Sequence, residues 1–311
     1  MIAALKQGWD DPELKQILAG NISDYIAAEE EDPYEDDNLT LIRLQILERE
    51  KRFTEYLHLA EAKGQVTKYL IMLVRLDRVA EAMVKSQSQM QTMEQALALS
   101  QALVEEQNTQ NEALEIATRG LNLPGRCQYE LATWASEIAL KLDDLVAVKN
   151  AKIKAFQAKP NFDDYKAIEK LATEDWSTIR EELLAELANS TSYWYLKEAQ
   201  VDIYLYESMI DEAIAVVTDT RSYHDSLVQK VMTVAIATHP DWVISNACRR
   251  AESIMNEGKA KYYEYAIAWL KQVRAAYLAS ERKREWSEYR EKIVSVHGRK
   301  RKLMGLMQSV V

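Results

Sequence analysis

Glycine and proline are scarce in this chain, 8 and 5 among 311 residues. Tight turns and bulges lean on glycine, and proline interrupts helices. So low a share of both excludes a strand-and-turn architecture. Cysteine is almost absent: Cys127 and Cys248 lie far apart, which excludes a disulfide framework and fits a reducing compartment. No run of 18 consecutive apolar residues is found, so no membrane-spanning helix is expected. Lys6 and the polar stretch from Trp9 to Lys15 interrupt the N-terminus, which therefore does not read as a signal peptide. A cytoplasmic protein with no membrane partner is the expectation. There is no phosphate-binding glycine loop and no nucleophile elbow. Zinc needs about four converging nitrogen or sulfur ligands, and two separated cysteines with 4 scattered histidines do not supply them. The expectation is no catalytic residue, no metal site, no cofactor within this chain, and no enzyme activity.

What is abundant is the set of straight-chain helix formers, Ala, Leu, Glu, Lys and Gln. The hydrophobic share of 48% and charged share of 28% fit a folded chain with a sizeable core. The sequence predicts an all-α fold. Net charge is -10 and unevenly spread. Seven of the nine residues from Glu29 to Asp37 are acidic, whereas Lys259 to Lys302 carries thirteen Lys/Arg against five Glu. Such blocks are solvated faces or loops by default.

Helix follows helix along the chain. Residues 1–38 read as short helices and an acidic loop, with Asn38 capping a helix that puts Leu41, Leu44 and Leu47 on one face. An internal echo covers the next part, 39–122. Leu44, Leu47, Arg49, Arg52 and Glu55 recur as Leu70, Leu73, Arg75, Arg78 and Glu81, all shifted by 26 residues. Each copy reads as helix, tight turn, helix, a hairpin that must stack on neighbours to bury its apolar face. A helix over Gln89–Glu106 and another over Asn111–Leu121 precede the break at Leu123-Pro124-Gly125. The part from 123 to 311 continues the pattern. Leu131–Leu142 pairs with Leu145–Phe156 across Asp143-Asp144. Asn161 caps the next helix with Asp164 at its third position, and Pro240 opens another. Tyr193–Tyr206 with Met209–Val217 forms one more hairpin. A long helix then buries Ala266, Trp269, Leu270, Val273 and Tyr277, followed by one with Trp286, Tyr289, Ile293 and Val296 inward. The expected architecture is a superhelical array of stacked helical hairpins, a tetratricopeptide-like α-solenoid.

Three groups are candidate sites. Tyr193, Trp194, Tyr195, Tyr204 and Tyr206 are too dense to face one core; they either pack between helices or line a peptide-binding groove. Arg282, Lys283, Arg284, Arg299, Lys300, Arg301 and Lys302 form the basic runs, either solvated surface or phosphate contacts without sequence reading. Paired carboxylates such as Asp143-Asp144, Asp163-Asp164 and Glu181-Glu182 read as caps and dipole partners rather than acid–base machinery. A Cys248 pair with His224 or His239 has no local support as a nucleophilic couple.

The order of several segments is familiar. Ala113–Leu121, Glu130–Trp134, Lys154–Phe156 with Pro160 and Tyr165, His239-Pro240-Asp241-Trp242, Trp286 with Tyr289, and His297 to Leu303 together resemble the helical C-terminal region of bacterial SWIM zinc-finger proteins. The resemblance covers most of the chain and is best from Asn111 onward. It implies a tetratricopeptide-like solenoid following a small zinc finger, whose ligands follow Cys-x-Cys and Cys-x-His. This chain has no such pattern, so no zinc ligand carries over, and zinc is expected only in a preceding segment. The implied function is a non-enzymatic scaffold for a protein or peptide partner. The alternative is an accessory nucleic-acid module acting through the basic C-terminus beside the finger.

Overall fold

The computed structural model describes residues 8–21, 33–189, 196–218 and 226–310, with only the backbone at 33–37. Among the described residues there are eighteen α-helices and no strand. They fall into two compact units: residues up to Lys159 with Lys166–Leu183, and Pro160–Tyr165 with the residues from Leu184 onward.

The first unit runs through α1 (Pro12–Leu18), α2 (Pro33–Arg49), α3 (Phe53–Ala62), α4 (Val66–Arg75), α5 (Val79–Gln89), α6 (Met93–Gln107), α7 (Gln110–Gly120), α8 (Gln128–Lys141) and α9 (Leu145–Ala158). Helices α10 (Phe162–Leu171) and α11 (Trp176–Asn189) are shared between the units. The second unit continues through α12 (Leu196–Tyr206), α13 (Ile210–Val217), α14 (Ser226–Ala235), α15 (Pro240–Glu257), α16 (Tyr263–Ala279), α17 (Lys283–His297) and α18 (Arg301–Met307).

One connector recurs in both units. At Lys51, Gly64, Asp77, Asp143, Ser208 and Glu281 a helix ends in a single left-handed residue, with φ between 57° and 63°. The next residue donates its N–H back five positions, to the carbonyls of Leu47, Ala60, Leu73, Ala139, Tyr204 and Tyr277, at 2.8–3.0 Å. Its own carbonyl accepts the first bond of the following helix, from Tyr56, Tyr69, Ala82, Val148, Ala213 and Trp286. This is the Schellman closure, and it satisfies carbonyls that a helix end otherwise leaves unpaired. The far-end partner of each of these bonds is buried, so each turn, itself half-exposed or exposed, is pinned to the core on both sides. The first three connectors follow one another at thirteen-residue intervals, Lys51, Gly64, Asp77. The 26-residue echo is two such steps: it returns to a helix on the same side of its hairpin. Its Arg and Glu form matching forks, Arg52 to Glu55 and Arg78 to Glu81, and the same pair reappears at Arg282 and Glu285.

Packing within the first unit places α6 against α4 and α7, and α8 against α7 and α9. Gly120, at the end of α7, makes that approach possible. A Cβ there would lie 2.2 Å from the Cβ of Ala96 and 3.1 Å from Leu131 Cδ2. Trp134 on α8 donates to Ser100 Oγ on α6 at 2.8 Å, and Ser100 donates in turn to the Ala113 carbonyl on α7. This buried relay ties three helices together. The Leu123-Pro124-Gly125 break is a loop docked on the start of α6: Met93 donates to the Pro124 carbonyl and Arg126 to Glu94. In the second unit α16 is central, packing on α14, α15, α17 and α18 with Ala266, Trp269, Leu270, Val273 and Tyr277 buried as expected.

Four expectations need correction. Residues 33–37 belong to α2 rather than to a loop, so Asn38 lies inside the helix and caps nothing. Pro33 is the first residue of α2, where a missing N–H costs little. The helix expected over Gln89–Glu106 breaks at Met90, because Thr92 and Gln95 form a capping box that starts α6. Glu181 and Glu182 lie inside α11 and cap nothing. Val296 is 64% exposed, and His297 is buried in its place. From Trp286, ten residues turn the helix by about 280° beyond whole turns, whereas eleven turn it by only about 20°.

Replacing Lys51 or Glu281 with glycine relieves the left-handed backbone and is expected to stabilise by about 0.5–1 kcal/mol each, read as a higher midpoint in denaturant unfolding. Gly120→Ala is expected to lower that midpoint, by about 1–3 kcal/mol. The overlap with Ala96 outweighs the roughly 1 kcal/mol that alanine otherwise gains in a helix.

Candidate functional site

Helices α7 and α9 are each antiparallel to α8. Gly120 near the end of α7 meets Leu131 near the start of α8, and Gln128 at that start donates to the Lys154 carbonyl late in α9. Helices α7 and α9 therefore run the same way, with a groove of about 720 Å³ between them. Its α9 wall is the stripe Val146, Asn150, Lys154, spaced four residues apart and so on one helix face. Its α7 wall carries Asn111, Leu114, Glu115, Thr118 and Arg119. Read along the helices, the groove has an apolar and amide end (Val146, Asn111), a middle of Leu114, Glu115 and Asn150, and a cationic end of Arg119 and Lys154.

The polar groups of this groove are available. The side chains of Asn111, Glu115, Asn150 and Lys154 have no hydrogen bond or ion pair among the described residues. Arg119 donates to Ser86 Oγ at 2.5 Å, which holds its guanidinium on the wall without neutralising it. Asp144 marks the opposite end and caps α9 by accepting from Ala147. Beside it Leu140, Leu145 and Val146 are 63%, 52% and 66% exposed, an apolar patch at the hairpin tip. Grouped exposed apolar side chains next to a groove mark interaction surfaces. Helix α9 contains no acidic residue, and Lys154 is the lysine it contributes to this wall.

The aromatic candidates separate. Tyr193, Trp194 and Tyr195 lie outside the described residues. Tyr204 is buried, and burial pushes its hydroxyl pKa up. Tyr206 is 47% exposed, with edge-on contacts to Phe162 and Tyr165.

The basic runs are partly committed. Arg282 forks onto Glu285, reaches Asp241 and lies over the Tyr277 ring. Arg284 pairs with Glu288. Lys300 donates to the Met255 carbonyl in the last turn of α15, where the helix dipole favours a cation, and Lys302 reaches Glu264 at 3.8 Å. Lys283, Arg299 and Arg301 are exposed and have no ion pair among the described residues.

A smaller pocket of about 150 Å³ lies between α15 and α17. Tyr289 donates to Glu252 at 3.0 Å and sits against Cys248. Burial, then Cys248 and Glu252, raise the Tyr289 pKa; burial also raises Cys248. A thiol held protonated is a poor nucleophile. His239 has both ring nitrogens engaged, with Thr238 and Asp211, so it is not directed at Cys248. His224 lies outside the described residues. Cys127 is half-buried, and burial raises its pKa. The carboxylates Asp144 and Asp164 act at helix starts, the latter in mutual hydrogen bonds with Asn161. Among the described residues no group of three His, Cys, Asp or Glu is placed to hold a metal ion, and no helix is long and apolar enough to cross a membrane.

No protein-family model matches the chain, and no curated protein matches it in sequence.

Sequence reading missed the groove. Asn111, Asn150 and Lys154 are ordinary helix-surface residues in one dimension, and only the four-residue spacing of Val146, Asn150 and Lys154 hinted at a shared face.

His297 yields a pH dependence. Burial, reinforced by Lys300, lowers its pKa from the ordinary 6.5. The unfolded chain thus takes up this proton first on acidification. The stabilising contribution is complete above about 6.5 and is lost as pH falls through the lower folded value. Thermal unfolding of wild type and His297→Gln between neutral and mildly acidic pH is expected to show a steeper loss in the wild type.

Proposed function

We propose that this chain is a non-enzymatic scaffold that holds an extended peptide segment of a protein partner in the groove between α7 and α9. The observation that carries this reading is the groove itself: free amide side chains on both walls, an aliphatic floor, and exposed apolar residues at its mouth. Free asparagine amides each offer an NH2 group that donates and a carbonyl that accepts, which matches the main chain of an extended segment. The thirteen-residue connector spacing and the recurring αL closures support a tetratricopeptide-like α-solenoid, in which stacked hairpins leave such grooves between neighbouring helices. The resemblance to the helical region of SWIM zinc-finger proteins agrees with this reading. On it the chain works in the cytoplasm and needs no cofactor of its own.

The alternative role, nucleic-acid binding through the basic C-terminus, has less support. Arg282, Arg284 and Lys302 face carboxylates, and Lys300 closes the end of a helix. Phosphate binding would have to displace those partners.

Peptides selected from a random displayed library on the wild-type chain are expected to lose at least about tenfold in affinity, roughly 1.4 kcal/mol, on Asn150→Trp. Tyr206→Ala, in the second unit, is expected to leave them unchanged. Equal binding to the Asn150→Trp variant, with its helical circular dichroism intact, would remove the groove as the site.

A further inference from the structure

Resting on the reading of this groove as a peptide site, we infer that it selects a segment carrying an apolar residue and an acidic residue about three to four positions apart. The charge pattern along the groove dictates the chemistry. Its cationic end carries Arg119 on one wall and Lys154 on the other. Asp144 stands at the far end and Glu115 in the middle, so a carboxylate is repelled everywhere except beside Arg119 and Lys154. Lys154 has no counter-ion among the described residues, and Arg119 is positioned by a neutral hydroxyl, so both cations keep their full charge for a ligand. The apolar counterpart is Val146, 66% exposed, at the opposite end, with Leu114 nearer the middle.

The spacing follows from helix geometry. Val146 and Lys154 are eight residues apart on one face, a rise of about 12 Å. An extended chain advances about 3.3 Å per residue, so about three to four residues separate a side chain over Val146 from one beside Lys154. Between them Asn150 lies level with the segment's main chain and accepts or donates one backbone hydrogen bond. The acidic group is an internal Asp or Glu side chain rather than a chain terminus: the groove is an open channel along the helices, and the segment runs through it.

The test is an array of synthetic peptides, each with one Leu and one Glu in an Ala/Ser/Gln background. The Leu–Glu spacing varies from one to about seven residues in both orders. Each peptide is made with a free and an amidated C-terminus, and Lys replaces Glu in a parallel set. Retention of the full chain is expected to peak at a spacing of about three to four, with Glu at least about tenfold above Lys, independent of C-terminal amidation, and weakened by salt. Lys154→Glu, which removes no hydrogen bond of the fold, is expected to reverse the preference toward the Lys set. Retention that ignores spacing or charge, or requires the free C-terminus, overturns this inference while leaving the groove as a peptide site. No retention of any peptide overturns both readings.

Discussion

The left-handed residue that closes one helix and starts the next is the constraint on which the structure depends. A helix end leaves carbonyls unpaired, and burying them unpaired is costly. Here the N–H after the left-handed residue reaches back to a carbonyl of a buried residue, and the adjoining carbonyl seeds the following helix. The connector thus sets the reversal of direction, the hydrogen-bond closure and the phase of the next helix in one step. Because both flanking residues are buried, the turn cannot slip without exposing core side chains.

That economy explains a tension in the composition. The fold uses the backbone region where glycine is most at ease, yet only Gly64 among the six recurrent connectors is glycine. The others accept a local backbone penalty of about 1–2 kcal/mol, offset by the closure and by burial on both sides. At three starts the chain adds an Arg–Glu fork, Arg52–Glu55, Arg78–Glu81 and Arg282–Glu285. These pairs are half-exposed and screened by solvent, so they orient the first turn more than they hold the fold.

Close packing on a shared helix creates the groove. Helices of one hairpin approach closely, and Gly120 and Ala96 show how closely. Helices α7 and α9, both packed on α8, are held apart by it, and the space between them is left to side chains with no partner of their own. Polar groups without partners beside exposed apolar ones are what a folded chain avoids on an ordinary face.

Much of the fold was legible in the residues. Scarce glycine and proline, apolar spacing of three and four, the Asp143-Asp144 turn, the Asn161 cap and the buried stripe from Ala266 to Tyr277 all follow from local rules that act within one or two helical turns. The exceptions were also local in origin, as when the Thr92 box divides a run of helix formers. The site was not legible. Val146, Asn150 and Lys154 share a face by spacing alone, but nothing in one dimension says that Asn111, Leu114 and Arg119 stand opposite, or that Arg282 and Lys300 are already engaged. The sequence by itself determined helix, turn and inward face, because those depend on neighbours a few residues away. Only the tertiary structure decided which polar residues are left without partners and on which wall, because that depends on residues about thirty positions apart meeting through a third helix.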